Sequence, residues 1–367
     1  MKNICKIAVL LAAVLMLFCM TGCGDDPGGD QSGNTQTQTP SGGTQTQTPS
    51  GGTQTQTPAE PPFVAQETPL TLEAIQAGTI TLEHPWSTLK YKKNGGNFVS
   101  VTADANTITV AAGDKIAFYA DNSENNNGSG YFTIHCSENC YVYGNVMSLL
   151  GSNFTNATVI FTDYAFYGLF ESNTHIKNHS TKTLVLPATT LKTACYSNMF
   201  YGCTSLTSAP ALPATTLKTA CYKGMFFGCS GLTSAPVLPA TTMVSHCYYA
   251  MFKNCTNLTS APNLSATSLE SNCYESMFEG CTNLTSAPVL PATTLKTNCY
   301  KAMFKGCSSL NTVICLATNI SATDCTTNWL KDVASSGTFT KASSMSSWPT
   351  NSNLIYNGIP SGWTVVE

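Results

Sequence analysis

The sequence predicts an α/β solenoid, with short parallel strands on its concave side and short helices on its convex side, preceded by a small all-β domain. Three observations carry that expectation. The second half of the chain repeats every 26 residues. Each repeat joins a helix-spaced stretch to a short extended one. The stretch before the repeats alternates apolar and polar residues as half-buried strands do.

The period is read from fixed columns. Cys195, Cys221, Cys247, Cys273 and Cys299 each precede a tyrosine, and Met-Phe follows at 199, 225, 251, 277 and 303. A second cysteine stands at 203, 229, 255, 281 and 307, then a leucine at 206, 232, 258, 284 and 310. Internal periods of 20–50 residues mark units that bury their faces against their neighbours. Within one unit, Cys195, Met199, Phe200 and Cys203 fall at i, i+4, i+5 and i+8. That spacing predicts one apolar stripe of a short helix. Glycine at 202, 228, 280 and 306 suits the left-handed residue of a helix cap, and Asn254 fills the same column. Residues 206–212 read as a short strand, limited by Pro210 and Pro213. Strands stack ~4.8 Å apart and helices ~8–10 Å, so a stack of such units must curve. The result expected is the leucine-rich-repeat horseshoe, whose units run about 20–29 residues. The alternative is a straighter β-solenoid in which the Cys-Tyr segment is irregular.

The array is expected over residues 151–334. At its far end Cys325, Trp329, Leu330 and Val333 continue the columns of Cys299, Met303, Phe304 and Cys307. Residues 335–367, with Trp348 and Trp363, then leave the pattern and are expected to cap the open core. At the near end, Ala165–Leu169 echoes Met199–Cys203 in a degenerate unit, and residues 175–182 are an insertion. Residues 63–150 form the separate β module. Strands are expected at 79–82, 98–102, 107–110, 115–118 and 131–134, with turns at 94–96 and 112–114. Covering the first repeat is its expected role, with ligand binding the alternative.

The N-terminal region sets the expected compartment. Lys2 and Lys6 precede an apolar run at 7–20, too short to span a bilayer, which reads as a secretory signal over residues 1–22. Thr21-Gly22-Cys23 resembles a bacterial lipobox, with acylation expected at Cys23 and membrane attachment through that lipid. Asp25 and Asp26 resemble the surface-export signals of some Gram-negative lipoproteins, so an outer-membrane protein exposed at the cell surface is expected. Residues 23–62 then form a tether. Thr-Gln-Thr-Gln-Thr-Pro at 35–40 recurs at 44–49 and 53–58, and nothing there can bury apolar area.

Composition narrows the function. The chain has 367 residues, a net charge of −3 and only 10% charged residues, and all 17 basic residues are lysines. Without arginine or a basic field, nucleic-acid recognition is not expected. No phosphate-cradling loop, dinucleotide fingerprint, nucleophile elbow or His-Glu-x-x-His stands in the sequence, so catalytic residues and cofactors are expected to be none. The repeated cysteines are expected as buried thiols, because partners eight residues apart on a helix lie ~12 Å from each other. Cys136 and Cys140 are close enough for a possible disulfide. Zinc on that pair with His175 and His179 is not expected, as the gap between the pairs exceeds that of compact zinc modules.

Met-Phe-x-Gly-Cys-x-x-Leu-Thr-Ser followed by Leu-Pro, as at 199–213, resembles the BspA-like leucine-rich-repeat surface proteins of bacteria over roughly residues 164–334. The longer unit, Met for Ala and the added Cys-Tyr depart from that family's pattern. The resemblance implies surface display and adhesion to host extracellular-matrix or bacterial surface proteins by a monomer, and carries no catalytic residue. Columns that vary between repeats are the exposed ones. One such column runs Tyr201, Phe227, Lys253, Glu279, Lys305. Tyr201, Phe227 and Lys253 are the candidate ligand-binding residues, since exposed aromatics are frequent anchors. A glycan-binding surface component acting through the β module is the alternative function.

Overall fold

In the first module, β-branched and aromatic residues alternate with polar ones, and the chain pairs as antiparallel sheets. A computed structural model describes residues 62–121, 131–351 and 357–367. The signal run, Cys23 and nearly all of the tether therefore lie outside the described residues. Strands β1 (Thr71–Ala74), β2 (Gly78–Glu83), β3 (Lys90–Lys93), β4 (Phe98–Ser100), β5 (Thr107–Val110), β6 (Lys115–Tyr119), β7 (Thr133–Cys136) and β8 (Cys140–Asn145) make up this module. Strands β5-β2-β7 form one sheet. The other runs β8-β1-β6-β3-β4 and is extended past β8 by β9 (Ile176–Asn178) and β10 (Leu184–Val185), both parallel to β8. The module and the start of the repeats thus share a sheet, and one apolar core runs through both. At the far end β11 (Thr312–Cys315), β12 (Gly337–Lys341) and β13 (Trp363–Val366) form a parallel three-stranded sheet.

The α/β solenoid is not what forms. Among the described residues the only helical segments are two 3-10 turns, Val146–Leu149 and Phe154–Asn156, and the sheets are mixed. The stretches expected as convex helices are chains of turns, and the expected concave strands shrink to single bridges such as Ser208–Ser234–Ser260. The reason is written in φ. Every fourth residue of the Cys-Tyr stretch is left-handed: Ala194, Asn198 and Gly202 in one copy, His246, Ala250 and Asn254 in another. L-residues cannot hold that conformation inside a right-handed helix. The hydrogen bonds follow suit. Tyr196, Asn198 and Phe200 send their N–H groups to Cys221, Lys223 and Met225 of the next copy at 2.8–3.0 Å. The N–H groups between them close local turns, as Met199 to Tyr196 at 3.3 Å and Tyr201 to Asn198 at 3.0 Å. A turn every four residues and a helix both return every fourth side chain to one face, so the apolar spacing fits either.

That difference has a sign that can be measured. Gly224 lies in the middle of the stretch with φ +59, and an added Cβ would press on the Asn198 side chain. Gly224→Ala is expected to destabilise by about 1–2 kcal/mol in urea unfolding, whereas in a helix the same change would stabilise by about 1 kcal/mol. A gain would refute the turn assignment.

Packing is by identical residues laid on one another. Tyr196 and Tyr222 stack at 5.8 Å with 2° between planes, and Phe200 and Phe226 at 5.4 Å with 1°. Both ladders continue through Tyr300 and Phe304. Each second-column thiol donates to the carbonyl of the preceding copy's phenylalanine, as Cys229 to Phe200 at 3.0 Å and Cys281 to Phe252 at 3.1 Å. At the near end Phe166 lies on Tyr196 and Phe170 on Phe200, so the degenerate copy is offset by 30 residues and Leu169, not Ala165, answers to Met199. At the far end Trp329 takes the methionine column, yet its indole covers Tyr300 at 6.4 Å and bonds to the Gly358 carbonyl at 2.9 Å. Trp348 stacks on it at 5.3 Å and Phe339 meets it edge-on at 5.8 Å.

Candidate functional site

The turn that closes on Cys203 pushes the residue after each Phe-column ring outward, and in-register stacking then lines these residues up. Tyr201 and Phe227 stack at 4.6 Å, with Lys253 5.6 Å over the Phe227 ring. Lys253 reaches Glu279 at 2.9 Å, and Lys305 reaches the same carboxylate at 3.0 Å. Burial pushes Glu279 up, but the two ammoniums outweigh it and hold its carboxyl below the usual range. Tyr201, Phe227 and Lys253 are therefore brought together, all half-buried. They satisfy one another: both faces of Phe227 are covered, one by Tyr201 and one by Lys253, so this column is a continuous ridge and its aromatic pair is not an open anchor.

Sequence reasoning missed a cavity of about 550 Å³ where the insertion 175–182 crosses the first repeats. Its walls are apolar, from Leu184, Leu186, Pro187, Pro210 and Pro213. The polar side carries His179 and Lys182. His179 Nδ1 accepts from the backbone N–H groups of Thr181 and Lys182 at 3.1 and 3.2 Å, which leaves its proton on Nε2. Burial and the nearby Lys182 keep this imidazole below its ordinary pKa. Its ring meets Tyr141 and Tyr143 edge-on at 4.9 and 5.7 Å. Lys182 is bound to Glu73 at 2.8 Å, and the Tyr143 hydroxyl donates to the same oxygen at 2.8 Å. Burial raises Glu73, and these two donors bring its pKa below the usual carboxylate value. The cavity can thus take a largely apolar group. The signal that could have found it is the insertion itself, which breaks the 26-residue period at the start of the array.

All fourteen described cysteines are free and buried. Burial raises the repeat thiols, Cys195 and Cys281 to about 12, so they are held as unreactive thiols. Cys136 and Cys140, read as a possible disulfide, are both buried free thiols in this structure. Cys136 ends β7 in one sheet and Cys140 begins β8 in the other. Asn173 Nδ2 donates to the Cys136 sulfur at 3.5 Å. Among the described residues no cluster of histidines, cysteines and carboxylates is arranged to hold a metal. No helix there is long and apolar enough to cross a membrane. Cys23, the expected lipid attachment point, lies outside the described residues.

Compared with known proteins, the chain matches no family model, and neither a curated protein nor a solved structure is significantly similar to it.

Proposed function

We propose that the chain is an exported, lipid-anchored binding protein that attaches to host extracellular-matrix or neighbouring-cell surface proteins. One observation carries the reading. The stacked copies keep their inner columns fixed, with Cys, Tyr, Met, Phe and Cys buried in each, while the outward column changes from Tyr201 and Phe227 to Lys253, Glu279 and Lys305. A scaffold that holds its interior constant and varies its outer ridge suits recognition. Anchoring through Cys23 rests on the apolar run and the lipobox-like Thr21-Gly22-Cys23. Two chains of acyl carbon hold a protein firmly, since each buried methylene adds ~0.8 kcal/mol.

The test uses the full chain in cells. Surface expression is expected to enrich fibronectin or collagen from solution, and Cys23→Ser is expected to move the protein from the membrane to the soluble fraction. Protease shaving of intact cells is expected to remove the array. Equal recovery of matrix protein by cells lacking the chain would overturn the binding reading, and a Cys23→Ser protein still in the membrane would overturn the anchor.

A further inference from the structure

Away from the cavity, three tyrosines from two separate segments meet at the surface. Tyr131 precedes β7, while Tyr164 and Tyr167 belong to the degenerate first copy. Tyr131 and Tyr167 lie 4.1 Å apart with 33° between planes, and Tyr164 sits 5.8 Å from one and 6.0 Å from the other. Tyr131 is 38% exposed and Tyr164 42%. Tyr164 holds a left-handed φ of 58°, a conformation that a bulky residue adopts only under constraint from its surroundings. Its backbone N–H is fixed by the Thr193 carbonyl at 2.9 Å. The Tyr167 hydroxyl is tied down by Asn198 Nδ2 at 3.1 Å, so its ring cannot rotate away.

Beside the rings lies a half-buried carboxylate. Glu171 folds over Gly168, the residue after Tyr167, such that a Cβ there would come within 2.9 Å of Glu171 Oε2. Its side chain takes part in no hydrogen bond or ion pair among the described residues, although it sits near His135 and Tyr167. Burial raises its pKa, as befits an acceptor that lacks a donor.

We infer that Tyr131, Tyr164, Tyr167 and Glu171 form a binding platform for a neutral saccharide. A pyranose ring has C–H groups on one face and hydroxyls around its rim. The C–H face packs on rigid aromatic rings, which give large amphipathic contact area at little entropic cost. The rim needs an acceptor, and Glu171 supplies one. An anionic ligand fits poorly beside the Glu171 carboxylate, and the chain contains no arginine to receive it. By the 30-residue offset of the degenerate copy Glu171 answers to Tyr201, so the platform adjoins the near end of the ridge.

The test is a printed array of neutral gluco-, galacto- and manno-configured oligosaccharides probed with the purified full chain. Retention of at least one is expected. Tyr164→Asn is expected to weaken it at least tenfold, because asparagine accepts the left-handed φ while removing the ring. Glu171→Gln should weaken it severalfold, Tyr164→Phe should preserve most of it, and Val289→Ala, exposed several copies further along the chain, should leave it unchanged. Thermal melts confirm that each variant is folded. A blank array, or binding that Tyr164→Asn does not alter, overturns the site. Capture of an apolar peptide with equal loss in Tyr164→Asn, and no sugar bound, would overturn it too.

Discussion

Phe252→Ala is expected to remove about 3–5 kcal/mol of folding stability, the cost of opening a cavity at a closed site. Phe252 is fully buried, stacked at 5.7 Å on Phe226 and at 5.7 Å on Phe278. Both neighbours lose a ring partner, and each aromatic pair is worth about 0.5–1.5 kcal/mol beyond area burial. The backbone bonds at this position survive truncation: its N–H still reaches the Met277 carbonyl at 2.9 Å, and its carbonyl still accepts from Cys255 and Cys281. The loss is therefore one of packing alone. The adjacent Lys253→Ala removes an ion pair to Glu279 and a cation over Phe227, both partly solvated. Such contacts are worth about 0–1 kcal/mol. Urea unfolding of the two variants reads the contrast directly. Equal losses would mean that the chain does not put Phe252 inside and Lys253 outside.

The columns were legible in the sequence, and the backbone that carries them was not. Cys195, Met199, Phe200 and Cys203 are all buried as their spacing implies. Spacing reports which side chains share a face, not how the chain returns to that face. A helix returns by 3.6-residue turns; this chain returns by a left-handed residue every fourth position. The distinguishing mark was present in the other columns. Positions 198, 224, 250, 276 and 302 read Asn, Gly, Ala, Ser, Ala, and positions 202, 228, 254, 280 and 306 read Gly, Gly, Asn, Gly, Gly. One small or Gly/Asn column fits a helix cap, but two spaced by four fit only repeated turns. In the first module, segments at 79–82, 107–110 and 115–118 are strands, whereas β1, β3 and β8 went unread. β1 holds a single β-branched residue, Thr71, and the lysine-rich β3 none, and their pairing comes from neighbours far along the chain. The cavity and the tyrosine platform were invisible for the same reason: residues 66, 142 and 184, or 131 and 167, meet only after the sheets have formed.

Gly144→Ala should be the most damaging glycine substitution in the first module, at about 3 kcal/mol or more. Gly144 sits inside β8 with φ +88, and a Cβ there would come 2.9 Å from the Thr68 carbonyl oxygen and closer still to the Pro69 backbone. The left-handed conformation alone costs a side chain about 1–2 kcal/mol, and forced overpacking adds about 1–3 kcal/mol. Neither side can yield cheaply. The Gly144 N–H is held by the Thr183 carbonyl at 2.9 Å, and the next residue, Asn145, bonds to the Thr68 carbonyl at 2.8 Å. Relief means parting β8 either from the 68–70 segment or from β10, and β10 supplies Leu184 and Val185 to the cavity wall. Gly95→Ala is the control, because Gly95 has φ +72 but nothing within 4 Å of the added carbon. That variant bears only the backbone cost, about 1–2 kcal/mol. Urea midpoints separated by at least the steric difference are expected. If the two variants unfold together, the Gly144 backbone does not approach Pro69 as described, and the junction through which the first module buttresses the repeats is held by something other than close backbone contact.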